Sequence, residues 1–209
     1  MRDALKGSFY GILDAGYVPD HLWFSKCVAL IRGGASIIQL RAKSASTTQR
    51  AKLLEAILPL FEKSSIPLII NDDIDLALKY PNLGLHIGQK DLHPEAARER
   101  LGSDRILGWS THSWEQANAA TALAHILDYF AVGPIFTTQT KPDYVPVGLD
   151  LLKRVAASQP PIPFFCIGGI NRKNIDSVRA AGGQRIVVVS DVLCAEDTAQ
   201  AVNDFVLAH

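Results

Sequence analysis

The chain has 209 residues, 48% of them hydrophobic, and its 21 Lys+Arg balance 21 Asp+Glu. Such a length fits one domain at the compact end of α/β barrels, and zero net charge supplies neither the basic field of a nucleic-acid binder nor an acidic interaction tail. No apolar run nears the ~18 residues of a membrane span, no signal-peptide core of roughly 7–15 apolar residues follows Met1, and Cys27, Cys166 and Cys194 form no metal motif; three buried or half-buried thiols in a cytoplasmic protein are expected.

In chain order, short apolar runs without alternation read as strands buried on both faces. The first is expected at 9–13 and the second at 36–40, which runs into Gln39-Leu40-Arg41-Ala42-Lys43. Residues 47–63 then read as an amphipathic helix with Leu53, Leu54, Ile57, Leu58 and Phe61 on one stripe. The third strand, 67–70, runs into Asn71-Asp72, and the fourth, 84–87, into Gly88-Gln89-Lys90-Asp91. The fifth, 106–109, meets Ser110, and Ser113 caps a helix over 113–127. The sixth, 129–132, leads into Gly133-Pro134-Ile135-Phe136-Thr137-Thr138-Gln139-Thr140-Lys141. The seventh, 164–167, ends in Gly168-Gly169, followed by a helix at 174–181. The eighth, 186–189, meets Ser190, and Asp197 caps the last helix.

Eight βα units with short loops specify a parallel sheet with right-handed crossovers. Eight is the number that closes a (β/α)₈ TIM barrel, here a single domain over 1–209. An open doubly wound sheet fits less well, because no Gly-x-Gly-x-x-Gly turn follows the first strand. In a barrel the strand C-termini share one face, and the polar clusters all fall there.

Asp72 and Asp91 end neighbouring strands, which lie about 4.8 Å apart, so they can share one cation. Mg²⁺ suits a few carboxylates completed by water and phosphate oxygens; helix capping is the competing use of each Asp. Arg41, Lys43 and Lys141 supply the donors a diphosphate needs, and Gln39, Arg41 and Lys43 share one side of an extended segment. Gly168-Gly169 and Val189-Ser190 occupy the common phosphate position of barrel enzymes, with backbone N–H groups and a helix N-terminus as donors. His86 is expected to pack inside with a hydrogen bond, and His112 to line the rim. No histidine pair supports zinc, and no Gly-x-Ser-x-Gly elbow supports acyl transfer.

Together these segments, with His86-Ile87-Gly88-Gln89-Lys90-Asp91-Leu92, Gly108-Trp109-Ser110, Ile167-Gly168-Gly169-Ile170 and Val188-Val189-Ser190, resemble the thiamine-phosphate synthase family in order over nearly the whole chain. The resemblance implies a transferase that joins a 4-amino-2-methylpyrimidine diphosphate to a hydroxyethylthiazole phosphate, often 2-carboxylated, giving thiamine phosphate and pyrophosphate. It places Gln39, Arg41, Lys43, Asn71, Ser110 and Lys141 on the pyrimidine diphosphate, with Arg41, Lys43, Ser110 and Lys141 as the catalytic set. It places Asp72 and Asp91 on Mg²⁺, and Thr138, Gln139, Thr140, Gly169, Val189 and Ser190 on the thiazole phosphate. In the family the pyrimidine sheds pyrophosphate first, leaving a carbocation that the thiazole nitrogen traps, so a face rich in cations and poor in general bases is expected. The implied partners are small molecules, with no nucleic acid and no membrane; a homo-oligomer is compatible with the sequence, which does not fix the oligomeric state.

The chain departs from the family pattern at Asp73, which adds a negative charge beside the metal pair, at Cys166 where Ala is common, and at Gly182-Gly183-Gln184-Arg185. Residues 142–147 are expected to form a mobile lid. A related thiazole tautomerase is associated with a histidine where this chain has Pro134, and a non-catalytic phosphate-binding barrel would have lost the Asp pair or Lys141.

Overall fold

The structure is a computed structural model and describes residues 2–62, 64–140 and 144–207. Eight parallel strands close a barrel in chain order: β1 (Phe9–Asp14), β2 (Ile37–Arg41), β3 (Leu68–Asn71), β4 (Gly84–Ile87), β5 (Leu107–Thr111), β6 (Tyr129–Val132), β7 (Phe164–Ile167) and β8 (Ile186–Val188). β8 returns to pair with β1, with Tyr10 opposite Val187. Around them lie α1 (Trp23–Arg32), α2 (Thr47–Ile57), α3 (Ile74–Lys79), α4 (Pro94–Leu101), α5 (Trp114–Ala122), α6 (Gly148–Ala157), α7 (Ile175–Ala180), α8 (Ser190–Leu193) and α9 (Thr198–Leu207). The expected strands at 84–87, 129–132 and 164–167 are found with those bounds.

Local signals set the starts of α2, α3, α5 and α9. The side chains of Ser46, Asp73 and Ser113 accept from the N–H groups of Gln49, Leu76 and Gln116, and Asp197 accepts from Gln200. Each side chain satisfies one donor that a helix start leaves open. Two expected helices are shorter than their apolar pattern. The one at 47–63 ends at Ile57 and passes into a tight turn over Leu58–Leu60, because Pro59 has no N–H for an α-helical bond; Lys63 lies outside the described residues. The one at 113–127 ends at Ala122. The chain must turn there to enter β6, whose start is held by Asp128 accepting from Arg98 at 2.7 Å and from the Leu107 N–H at 2.8 Å.

Strand register divides the core into two layers, since alternate residues face opposite sides. Leu13, Leu40, Leu85 and Phe130 face away from the interior and are all fully or almost fully buried, while Phe165 packs inside against the Tyr10 and Tyr129 rings. On the strands, Tyr10, Gln39, Asn71, His86, Ser110 and Ala131 reach the cavity at the barrel mouth. Glycine makes room for a large interior ring: a Cβ at Gly108 would lie 2.1 Å from Cζ of Tyr129, its cross-strand partner. The barrel interior therefore carries a polar layer built across five strands, while the alternate strand residues face the helices.

Candidate active site

A cavity of about 860 Å³ opens at the C-terminal ends of the strands. Every predicted site residue except Lys141 lines it: Gln39, Arg41, Lys43, Asn71, Asp72, Asp91, Ser110, Thr138, Gln139, Thr140, Gly169, Val189 and Ser190. Lys141, with Pro142 and Asp143 of the expected lid, lies outside the described residues. The end of that segment is tied down, since the Val147 N–H donates to the Pro134 carbonyl at 2.8 Å and the Gly148 N–H to that of Ile135 at 3.2 Å.

One side of the mouth is charged. Arg41, at the end of β2, forms an ion pair with Asp14 at the end of β1. Asp14 is 1% exposed and also accepts from the Gly16 N–H at 2.9 Å. The rule that flagged the other strand ends, a polar residue terminating an apolar run, applies equally to Asp14, which sequence reading passed over. Lys43 Nζ lies 3.3 Å from Asp72. Burial and then the neighbouring Asp91 carboxylate push the Asp72 carboxyl above its ordinary value, while Lys43 acts in the opposite sense. The two acidic side chains predicted to share a cation thus stand side by side.

Asp72 is also one of the few non-glycine residues with positive φ, at 63°. This region is unfavourable for a residue with a Cβ, though Asp tolerates it better than most. Its N–H donates to the His86 carbonyl at 2.8 Å, which extends the β3–β4 ladder and fixes the turn. Asp91 is not a helix cap; it accepts from the Gly88 N–H at 2.7 Å, and His93 with Pro94 begins α4. Asp73 corrects another expectation. Its carboxylate caps α3 and lies 3.4 Å from Arg50, so its charge is taken up on the helix side of the sheet.

The floor is a chain of hydrogen bonds that crosses the barrel. Gln39 Nε2 donates to the Tyr10 hydroxyl, which meets the Tyr129 hydroxyl, which meets His86 Nδ1, while His86 Nε2 meets Ser110 Oγ; each step is 2.9 Å. Burial raises both phenols above their ordinary range. His86 is the buried, hydrogen-bonded histidine that was expected, and it also lines the cavity. His112 lines it too, as expected, with Nδ1 on the Gly133 carbonyl and its ring 4.6 Å from that of Tyr144. Two imidazoles thus line a face that was expected to be poor in general bases. Ser110 lies inside β5, with its carbonyl accepting from Gln89 at 2.6 Å.

The other side of the mouth is backbone. Gly168 and Gly169 have φ of 100° and 66°. A Cβ at Gly169 would lie 2.5 Å from the Thr137 carbonyl oxygen and 2.7 Å from Phe136 Cβ, so glycine is needed there for close loop packing. Asn174 and Asn171 hold the Gly169 carbonyl at 2.9 and 3.2 Å. Among the described residues the Gly169 N–H donates to no partner. Thr140 is held by the Tyr17 hydroxyl at 3.0 Å. Ser190 starts α8, a single turn, so backbone N–H groups rather than a long helix dipole are what this side offers. Arg172 and Lys173 also line it, with Arg172 paired to Asp191 at 3.1 Å.

The thiols divide unevenly. Burial pushes Cys27 and Cys166 up to about 12. Cys194 departs from expectation: it follows the one-turn α8 onto the rim and is exposed.

Comparison with known proteins agrees with this geometry. Residues 9–192 match the family model described as thiamine monophosphate synthase. The thiamine-phosphate synthase of Halalkalibacterium halodurans is 41% identical over 201 residues, covering 94% of this chain and 91% of that protein. That of a Synechococcus strain is 41% identical over 174 residues, but the chain spans about half of its length, 48%. Among solved structures, thiamine phosphate pyrophosphorylase from Pyrococcus furiosus superposes with a TM-score of 0.83 at 29% identity, covering 98% of this chain and 95% of that one. No helix among the described residues is long and apolar enough to cross a membrane.

Proposed function

The chain belongs to the thiamine monophosphate synthase family, and from that premise we propose that it condenses 4-amino-2-methyl-5-(diphosphooxymethyl)pyrimidine with a hydroxyethylthiazole phosphate, plain or carboxylated. The products are thiamine phosphate and pyrophosphate, with CO₂ lost as well from a carboxylated thiazole. The pyrimidine methylene–oxygen bond breaks with its electron pair leaving on pyrophosphate. The thiazole nitrogen then supplies the pair for the new carbon–nitrogen bond, so no enzyme nucleophile is needed.

The observation that carries this reading is the cluster on adjoining strand ends of a carboxylate pair, Asp72 and Asp91, with Arg41 and Lys43. The pair fits Mg²⁺ by its chemistry. It offers hard carboxylate oxygens, and among the described residues no group of three or more His, Cys, Asp or Glu side chains could form a complete cage. That is the pattern of a cation completed by water and substrate phosphate. Bound there, Mg²⁺ would neutralise charge on the diphosphate.

The side chains do the rest. Arg41 and Lys43, with Lys141, hold the diphosphate and offset the charge that grows on the leaving group. Asp14 holds Arg41 in place for this. Gln39, Asn71 and Ser110 hold the pyrimidine. Thr138, Gln139, Thr140, Gly169, Val189 and Ser190 take the thiazole phosphate, the Gly169 N–H being a donor without another described partner. Holding two rings in contact is itself a large part of the catalysis.

The test is incubation of the purified protein with both substrates and Mg²⁺, reading out thiamine phosphate and pyrophosphate together. Isomerisation of the carboxythiazole phosphate alone, with no coupled product, would instead favour a tautomerase. Pro134 lines the cavity with no proton to transfer, which weighs against that rival.

A further inference from the structure

The floor of the cavity contains a directional device. Its members are Gln39, Tyr10, Tyr129, His86 and Ser110, contributed by β2, β1, β6, β4 and β5. A phenol has one proton to donate, and a neutral imidazole has one donor and one acceptor nitrogen. With the Gln39 amide nitrogen on Tyr10, every later bond follows. The Tyr10 oxygen accepts from Gln39, so its proton goes to Tyr129. The Tyr129 proton goes to His86 Nδ1. His86 then carries its proton on Nε2 and donates it to Ser110 Oγ. Among the described residues Ser110 Oγ has no other partner, so its hydroxyl proton is left for the cavity. At the other end Gln39 Oε1 is left as an acceptor.

The two ends therefore present opposite polarities, and they are not independent. Turning the Gln39 amide over would reverse all four bonds and exchange the polarities of both ends together. Burial makes partial reversal unfavourable, because a mismatched link leaves two donors or two acceptors face to face away from water.

We infer that His86 is a positioning residue that, as the Nε2–H tautomer, couples Ser110 to Gln39 and makes the pair a specificity device for an aminopyrimidine edge. This rests on the functional reading above. Gln39 Oε1 accepts from the exocyclic amino group, and the Ser110 hydroxyl donates to a ring nitrogen. A 4-oxo pyrimidine of the same size carries the inverse pattern, an acceptor oxygen and a ring N–H. It is met by like polarities unless the whole chain reverses. Neither His86 nor Tyr129 needs to touch the reacting atoms for this selection.

Two measurements test the coupling. The first compares kcat/KM for the 4-amino pyrimidine diphosphate and its 4-oxo analogue in the wild type, in Tyr129→Phe and in His86→Phe. Tyr129→Phe removes one oxygen from the middle of the chain and keeps the ring that packs on His86 at 5.5 Å between centroids. The wild type is expected to prefer the amino substrate by about a hundredfold or more, as polar sites reject a substrate lacking the matching group. Tyr129→Phe is expected to reduce that ratio roughly tenfold, the scale of one lost hydrogen bond, chiefly by improving use of the oxo analogue. An unchanged ratio in a folded Tyr129→Phe, with both substrates slowed alike, overturns the coupling. The second measurement is ¹⁵N NMR of the His86 ring in the substrate-free protein. The Nε2–H tautomer is expected, and an Nδ1–H tautomer overturns the assigned direction. A wild type that makes no thiamine phosphate would remove the functional reading, and the tautomer result would then decide the coupling alone.

Discussion

The two sides of the barrel mouth do comparable work with different materials. The loops after β1 to β4 present side-chain charge: Arg41 paired with Asp14, Lys43 near Asp72, and Asp72 beside Asp91. The loops after β6 to β8 present mainly backbone, with Gly168 and Gly169 at positive φ and a one-turn helix at Ser190, beside Lys173 and an Arg172 paired with Asp191. Side-chain charge suits a diphosphate whose charge grows as it leaves, because each cation strengthens its contact toward the transition state. Backbone donors suit a monophosphate that does not change charge and needs only to be held. The positive-φ positions divide likewise: on the charged side one falls on Asp72, a carboxylate lining the mouth, and on the backbone side they fall on glycines that bear it without a steric penalty.

Five substitutions break or sharpen this contrast. The largest effect is expected from Asp91→Asn, which keeps an oxygen to accept from Gly88 and so preserves the loop. Turnover should fall about a thousandfold, ~4 kcal/mol in the barrier, with partial recovery at high Mg²⁺. Steady-state rates across a Mg²⁺ series check it, and full activity in chelator-treated buffer would remove the carboxylate pair from any metal role.

Arg41→Ala follows, at about 2–3 kcal/mol in kcat for a lost charge-assisted contact. It also leaves Asp14 buried without its cation, so thermal stability should drop. Asp14→Asn should lower kcat less than Arg41→Ala does. A single-turnover measurement separates chemistry from release, and an effect of Arg41→Ala confined to the thiazole KM would put Arg41 on the wrong side of the division.

Gly169→Val comes next. Its Cβ would press on the Thr137 carbonyl and on Phe136, and the positive φ adds about 1–3 kcal/mol of strain. Calorimetric titration should show thiazole phosphate affinity reduced more than pyrimidine diphosphate affinity, with a lower melting temperature. Ser190→Ala should be the smallest, near 0.5–1.5 kcal/mol of thiazole phosphate affinity. If folded Gly169→Val and Ser190→Ala proteins lose affinity for the pyrimidine diphosphate as much as for the thiazole phosphate, the two sides are one site.

The amino-acid sequence by itself determined the eight strands, their closure in order and the face that carries the chemistry. Those signals act over a few residues, as in the apolar run of residues 68–70 or the Ser113 cap, and the same rule placed Asp72 and Asp91 on neighbouring strand ends. Tertiary structure decided which polar groups meet. Asp14 reaches Arg41 across 27 positions, and Tyr10 reaches Tyr129 across 119. No local pattern encodes those separations, because they follow from barrel register. Gly108 shows why: its missing side chain is unremarkable along β5 and is explained by the Tyr129 ring that closure of the barrel brings beside it. The same closure turned Asp73 away from the cavity, carried Cys194 to its rim, and joined Gln39 to Ser110 through three rings that the sequence keeps far apart. A strand run is fixed by the preferences of its own residues, whereas a cross-barrel hydrogen bond exists only once every intervening strand has taken its place.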